Sequence, residues 1–181
     1  MTESAQTQTD SGASIFLVGP MGVGKSTVGR QLAKRLQREF HDSDQTIEAR
    51  TGVDIPLIFE FEGEEGFRRR ERQVLDELTA LDSIVLATGG GAVLDPDNRA
   101  LLAERGLVVY LRANPEQLLE RTIHDQHRPL LQTPDRLGRI RELLAERDVL
   151  YRDLADLTID TDRLTVRRSV NAICKKLQTE I

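Results

Sequence analysis

Residues 19–26 (GPMGVGKS) fit G-x-x-x-x-G-K-[ST], and no other feature constrains this chain as tightly. Four apolar residues, 15–18 (IFLV), precede the motif. After it, Val28, Leu32, Ala33 and Leu36 recur at three- and four-residue spacing. A short buried strand therefore runs through a glycine turn into an amphipathic helix. Glycine lets consecutive backbone N–H groups converge on phosphate oxygens, because no Cβ blocks positive φ or close approach. The helix aims the positive end of its dipole at the same anion. In such a loop Lys25 reaches the β- and γ-phosphates and the Ser26 hydroxyl is placed to ligate Mg2+.

Three further apolar runs, 84–87 (IVLA), 107–111 (LVVYL) and 157–159 (LTI), are short and largely unalternated, as buried strands of a parallel sheet are. A further strand is expected to end after Phe40. Helical patterns lie between them at 47–50, 56–81, 95–105, 114–124 and 134–155, and 165–178 closes the chain. Two of these open on Asp-Pro and Asn-Pro, an N-cap followed by proline at the first helical position. Strand–helix alternation implies an α/β domain with right-handed crossovers. No internal repeat or linker divides it. Residues 1–13 are expected to form a disordered tail, and 14–181 one domain with an excursion, a candidate lid, at about 125–132.

Composition removes several classes. In 181 residues, 25 Lys and Arg stand against 30 Asp and Glu, and the net charge of −5 argues against a nucleic-acid partner. No run approaches the roughly 20 apolar residues of a membrane span, and the first residues have neither the basic nor the apolar part of a signal peptide. Cys174 is the single cysteine, so no internal disulfide is possible. The expectation is a cytoplasmic protein, monomeric by default because no sustained exposed apolar stripe demands a partner. Four of the 25 basic residues are lysine, leaving 21 arginines. Most fit a lineage bias, but the guanidinium fork suits planar anions better than an ammonium does.

Three features bear on what accepts the phosphoryl group. Asp42-Ser43-Asp44 follows Phe40, where a strand should end at the ligand-bearing edge of the sheet. Carboxylates at i and i+2 on extended chain point the same way, one toward a Mg2+-bound water and one toward an acceptor hydroxyl. The alternative is that Asp42 or Ser43 simply caps the next helix. Gly89-Gly90-Gly91, directly after the strand at 84–87, implies close backbone approach, with a plain flexible turn as the alternative. Arg68, Arg128 and Arg147 complete the set, although for an arginine taken alone an ordinary solvated charge is the better reading.

In order, GPMGVGKST, D-S-D with IEARTG, IFEFEGEEGFRRRE, GGGAV, RPLL and ERDVLY resemble the shikimate kinases over nearly all of residues 14–160. The resemblance implies a P-loop three-layer αβα fold with a five-stranded parallel sheet of order 2-3-1-4-5 and a mobile lid. It implies ATP as co-substrate, Mg2+ as cofactor and shikimate as acceptor, phosphorylated at its 3-hydroxyl. Gly22, Val23, Gly24, Lys25, Ser26 and Thr27 would hold the ATP phosphates. Ser26 would bind Mg2+ directly and Asp42 through water. Asp44 would bind the shikimate hydroxyls and receive the acceptor proton. Arg68 and Arg147 would clamp the carboxylate, Gly89, Gly90 and Gly91 would offer backbone N–H groups, and Phe59 and Phe67 would wall the ring. Lys25, Asp44 and Arg128 would be the catalytic set, with Arg128 reaching the phosphates from the lid. Arg121 would pack on adenine, near the loop at 161–164.

The nearest rival is a P-loop kinase for another polyol such as gluconate, which also carries a carboxylate. A nucleoside monophosphate kinase lacks support, since nothing marks a second base site. A nucleotide-dependent switch of the GTPase kind would want an N-K-x-D-like loop, which the sequence does not contain.

Overall fold

Side-chain alternation along the central strand decides the layering. In β1 (Ser14–Val18), Ile15 and Leu17 enter one apolar cluster while Phe16 and Val18 enter a second on the opposite face. A strand buried on both faces needs helices on both sides, and this one has them. The computed structural model describes residues 12–123 and 129–179.

Around β1 the sheet adds β2 (Glu39–Asp42), β3 (Ile84–Ala87), β4 (Gly106–Arg112) and β5 (Leu157–Asp160). Its order is β2-β3-β1-β4-β5, with every pairing parallel, as expected. Register places Leu17 opposite Ala87 and Val18 opposite Tyr110. The loops after β1 and β3 therefore leave the sheet side by side, which is where the GPMGVGKS and GGG segments lie.

One layer contains α1 (Lys25–Leu36) and α7 (Val166–Thr179), packed on Ile15, Leu17, Val85 and Val109. The other contains α3 (Ile55–Thr79) and α4 (Pro96–Arg105), whose Val74, Leu75, Leu78 and Leu102 cover Phe16, Leu86 and Val108. Each fully buried Leu, Val or Phe here contributes roughly 1.5–3 kcal/mol. The remaining helices are α2 (Ser43–Thr51), α5 (Pro115–Thr122) and α6 (Arg136–Leu154).

The Asp-Pro and Asn-Pro signals form the caps expected of them. Asp95 accepts from the Asp97 N–H and Asn114 from the Gln117 N–H, each just before a proline. The helix expected over 56–81 departs from expectation, because it breaks at Gly63 (φ 69°, ψ −179°). That backbone is open only to glycine. On a straight helix, positions eight apart are separated by about 12 Å along the axis. Across the break, however, the Phe59 and Phe67 rings approach to 5.0 Å, and Arg70 bonds Glu62 at 2.7 Å. Of the candidate lid, residues 129–132 begin with a 3-10 turn (Pro129–Leu131), and residues 125–128, including Arg128, lie outside the described residues.

Candidate active site

The glycine loop is held by its own backbone and by Lys25. Gly19, Gly22 and Gly24 have φ of 143°, 81° and 99°, and Gly24 is the N-cap of α1. Lys25 is 9 % exposed, and its ammonium donates to the carbonyls of Gly19 (2.7 Å) and Pro20 (2.9 Å). Gly22, Gly24, Lys25, Ser26 and Thr27 line a cavity of about 350 Å³ together with Asp42 and Asp44. Val23 contributes differently: its side chain is in the core and its N–H bonds Pro20 O.

Asp42 caps the next helix, one of the two alternatives left open by the sequence, and also reaches Ser26. Its Oδ1 accepts from the N–H groups of Asp44 and Gln45, capping α2, while its Oδ2 accepts from the Ser26 hydroxyl at 2.5 Å. The expectation that Asp42 and Asp44 share an extended segment is corrected. The cap ends the strand at Asp42, and Asp44 sits in the first helical turn, yet both face the same cavity. Ser26 Oγ and Asp42 form a pair of hard oxygen donors beside the phosphate loop. That set fits Mg2+, which takes one or two protein oxygens and completes its shell with phosphate and water.

A second cavity of about 90 Å³ adjoins the first and shares Met21, Asp44, Ile55 and Gly90 with it. Arg68, Arg147, Phe59, Phe67 and all three glycines of 89–91 line it, as do Pro129 and Leu130 from the candidate lid. Steric fit explains the glycines better than flexibility does. A Cβ at Gly89 would lie 2.5 Å from Glu71 Oε1 and 2.8 Å from Asp44 Oδ1, and one at Gly90 would lie 3.1 Å from the Met21 backbone nitrogen. At Gly91 a Cβ would drive into the Arg68 guanidinium.

The two arginines are held differently. Arg68 donates to Glu71 (2.7 Å) and Glu64 (3.1 Å) and lies over the Phe67 ring. Burial works against its charge, but Glu71 and Glu64 outweigh burial and its pKa is raised. Arg147 is 4 % exposed, and its Nε has no hydrogen-bond partner among the described residues. A buried guanidinium with an unused donor, facing a cavity, is suited to an anion. Between them sits Glu71, with no exposure. Burial raises its pKa, opposed by the charges of Arg68 and Arg147.

Arg121 donates to the carbonyls of Val23 (3.3 Å) and Thr161 (3.1 Å), joining α5, the glycine loop and the loop after β5. Arg128 cannot be located in this arrangement, since it lies outside the described residues. Neither Glu71 nor Tyr151, which also touches the GGG loop, follows from the motifs. Both close segments that carry the resemblance, FRRRE and ERDVLY, but those segments assign them no role, and their spacing, i+3 from Arg68 and i+4 from Arg147, adds only that each shares a helix face with its arginine.

A parallel 2-3-1-4-5 sheet, a G-x-x-x-x-G-K-S loop after its central strand and an adjoining arginine-lined cavity define a P-loop kinase acting on a small molecule. The family model for shikimate kinase matches residues 21–178. A shikimate kinase of Legionella pneumophila (strain Corby) is 56% identical over 168 residues, covering 93% of this chain and 96% of that protein. One from Thiobacillus denitrificans is 59% identical over 164 residues, covering 91% and 90%. The solved shikimate kinase from Acinetobacter baumannii in complex with shikimate superposes with a TM-score of 0.92 at 50% identity, covering 94% of this chain and 95% of that one. The chain belongs to the shikimate kinase family. It is a phosphotransferase whose substrates are ATP and shikimate. Among the described residues, no helix is long and apolar enough to cross a membrane.

Proposed function

We propose that the protein moves the γ-phosphoryl group of ATP to the 3-hydroxyl of shikimate, with the site residues acting as follows. The observation that carries the assignment is the junction of the two cavities at Asp44 and Gly90. Donor phosphates in the first and a carboxylated acceptor in the second meet there. The backbone N–H groups of 22–27 cradle the phosphates, and Lys25 exchanges its loop carbonyls for oxygens of the transferred group. Arg68 and Arg147 take the carboxylate, the glycines of 89–91 approach the ring closely, and Phe59 and Phe67 wall its apolar side. That anchoring presents the 3-hydroxyl to Asp44, which accepts its proton as the oxygen attacks phosphorus and ADP leaves. Ser26 would hold Mg2+ directly and Asp42 through water, and the ion would supply positive charge to offset that of the phosphates.

Residues 14–181 act as one catalytic unit. The lid at 125–132 closes over both substrates and keeps water from replacing the acceptor, and Arg128 meets the phosphates as charge redistributes. The contact of Pro129 and Leu130 with the acceptor cavity supports a lid at this position. Arg121, tied to the Thr161 loop, supports an adenine site there. The single buried Cys174 fits a reducing cytoplasm, and the protein works there as a monomer.

The test is ADP release from MgATP with and without shikimate, followed by a coupled assay, with gluconate as the rival acceptor. Shikimate is expected to stimulate release steeply and gluconate not at all. Equal release with and without shikimate ends the assignment.

Replacing Arg68 by lysine keeps the charge but removes the fork. A charge-assisted hydrogen bond contributes about 1.5–3 kcal/mol, so Arg68→Lys is expected to raise the shikimate KM about ten- to a hundredfold with the ATP KM unchanged. A rise in the ATP KM instead would show that Arg68 serves the nucleotide.

A further inference from the structure

Tyr151 is one of the largest fully buried side chains, one helical turn beyond Arg147 on α6. Its hydroxyl donates to the carbonyl of Gly90, a contact spanning 61 residues of sequence. In a trans peptide, the Gly90 carbonyl and the Gly91 N–H point in opposite directions, so holding one aims the other. Gly91 is the glycine packed against the Arg68 guanidinium.

The ring that carries this hydroxyl is itself fixed. It stacks on Tyr110 of β4 with centroids 4.9 Å apart and planes at 24°, and Tyr110 donates to Asp148 at 2.8 Å. Asp148 in turn accepts from Arg152 at 2.8 Å. The sheet thus braces the tyrosine, and the tyrosine braces the loop. Burial raises the Tyr151 pKa, with Arg147 pulling the other way, so the hydroxyl keeps the proton it donates.

We propose that Tyr151 is a positioning residue for the acceptor site. Its hydroxyl holds the Gly90–Gly91 peptide in register with Arg68 and Arg147, so that the loop amide and both guanidiniums stand ready in one geometry before shikimate enters. The inference rests on the assignment of Arg68, Arg147 and the glycine loop to the acceptor.

Tyr151→Phe keeps the ring and its stack but removes the donor. The shikimate KM is expected to rise about 5- to 150-fold, the range expected for an orphaned buried carbonyl, with the ATP KM within about twofold of wild type. Tyr110→Phe removes the neighbouring buried hydroxyl, which bonds Asp148 and not the loop, and is expected to leave the shikimate KM within the same twofold margin. If both variants melt earlier and neither moves KM, Tyr151 is structural only and the proposal falls. Arg147→Lys in the same series separates the two levels. If it leaves the shikimate KM unchanged, the acceptor assignment fails and carries Tyr151 with it. If it raises KM while Tyr151→Phe does not, only the Tyr151 proposal fails.

A second measurement does not depend on the folding of Tyr151→Phe. The chain has two tyrosines, so Tyr110→Phe labelled with 3-fluorotyrosine gives one fluorine resonance, that of residue 151. Its line is expected to be as sharp without shikimate as with it, because the loop is already held in one geometry. A line that sharpens only when shikimate saturates the protein overturns the proposal.

Discussion

Asp44→Asn is expected to lower kcat for shikimate phosphorylation by about 10²- to 10⁴-fold, the usual contribution of a positioned general base. Asparagine has nearly the same shape and still accepts hydrogen bonds, but it cannot take the proton of an attacking hydroxyl. The substitution spares the architecture, because α2 is capped by the side chain of Asp42 and Asp44 contributes only its N–H to that cap. What is lost locally is a negative charge in the first turn, worth about 0.3–1 kcal/mol. The Tm should therefore move by no more than about 2–4 °C. Steady-state kinetics beside a thermal melt decides the matter. Near-normal turnover in a folded Asp44→Asn protein would remove Asp44 from the proton-accepting role, and the hydroxyl proton would have to leave with the phosphoryl group instead.

Lys25→Ala is expected to reduce kcat by about 10³-fold or more, since one preorganised donor aimed at developing charge is worth about 10²- to 10³-fold and Lys25 carries a full charge as well. The ammonium sits inside the loop, bonded to the carbonyls of Gly19 and Pro20. Its removal takes away both the charge on the transferred group and two bonds that shape the loop. Measuring ATP affinity beside turnover separates these consequences. A large fall in kcat with ATP affinity largely kept marks the charge as acting in the transition state. Loss of ATP binding with kcat intact at saturating nucleotide would mark it as a ground-state contact, against the proposal. The result tests the donor side alone, because any P-loop kinase would lose activity here. Arg68→Lys and the shikimate-dependent assay test the acceptor side.

Much of the molecule was legible from residues that are neighbours in the chain. The glycine loop, the four apolar strand runs and the Asp-Pro and Asn-Pro caps are local signals. Each is a pattern among adjacent residues, and each appears where expected, although the strands find their hydrogen-bond partners far along the chain. The break at Gly63 was not legible, because glycine within a helical pattern is tolerated until tertiary contacts select a backbone that only glycine adopts. The dual role of Asp42 was half legible. A cap is a local event, but the Ser26 partner lies 16 residues away and is supplied by the parallel strands. Arg68 stood out through the family resemblance, whereas Glu71 beside it did not. A helix-surface glutamate and one buried between two guanidiniums are identical as letters.

By itself, then, the sequence determined a phosphate-binding α/β kinase, since strand hydrophobicity, helix capping and a glycine loop are patterns written among adjacent residues. Tertiary structure alone decided which charges are buried together. It brought Arg68, Glu71, Arg147 and the Tyr151 hydroxyl, drawn from two helices, onto one three-glycine loop. Burial is what turns such charges from solvated ones into a site. It depends on what packs around each group, and that is a property of the whole fold rather than of any stretch of chain.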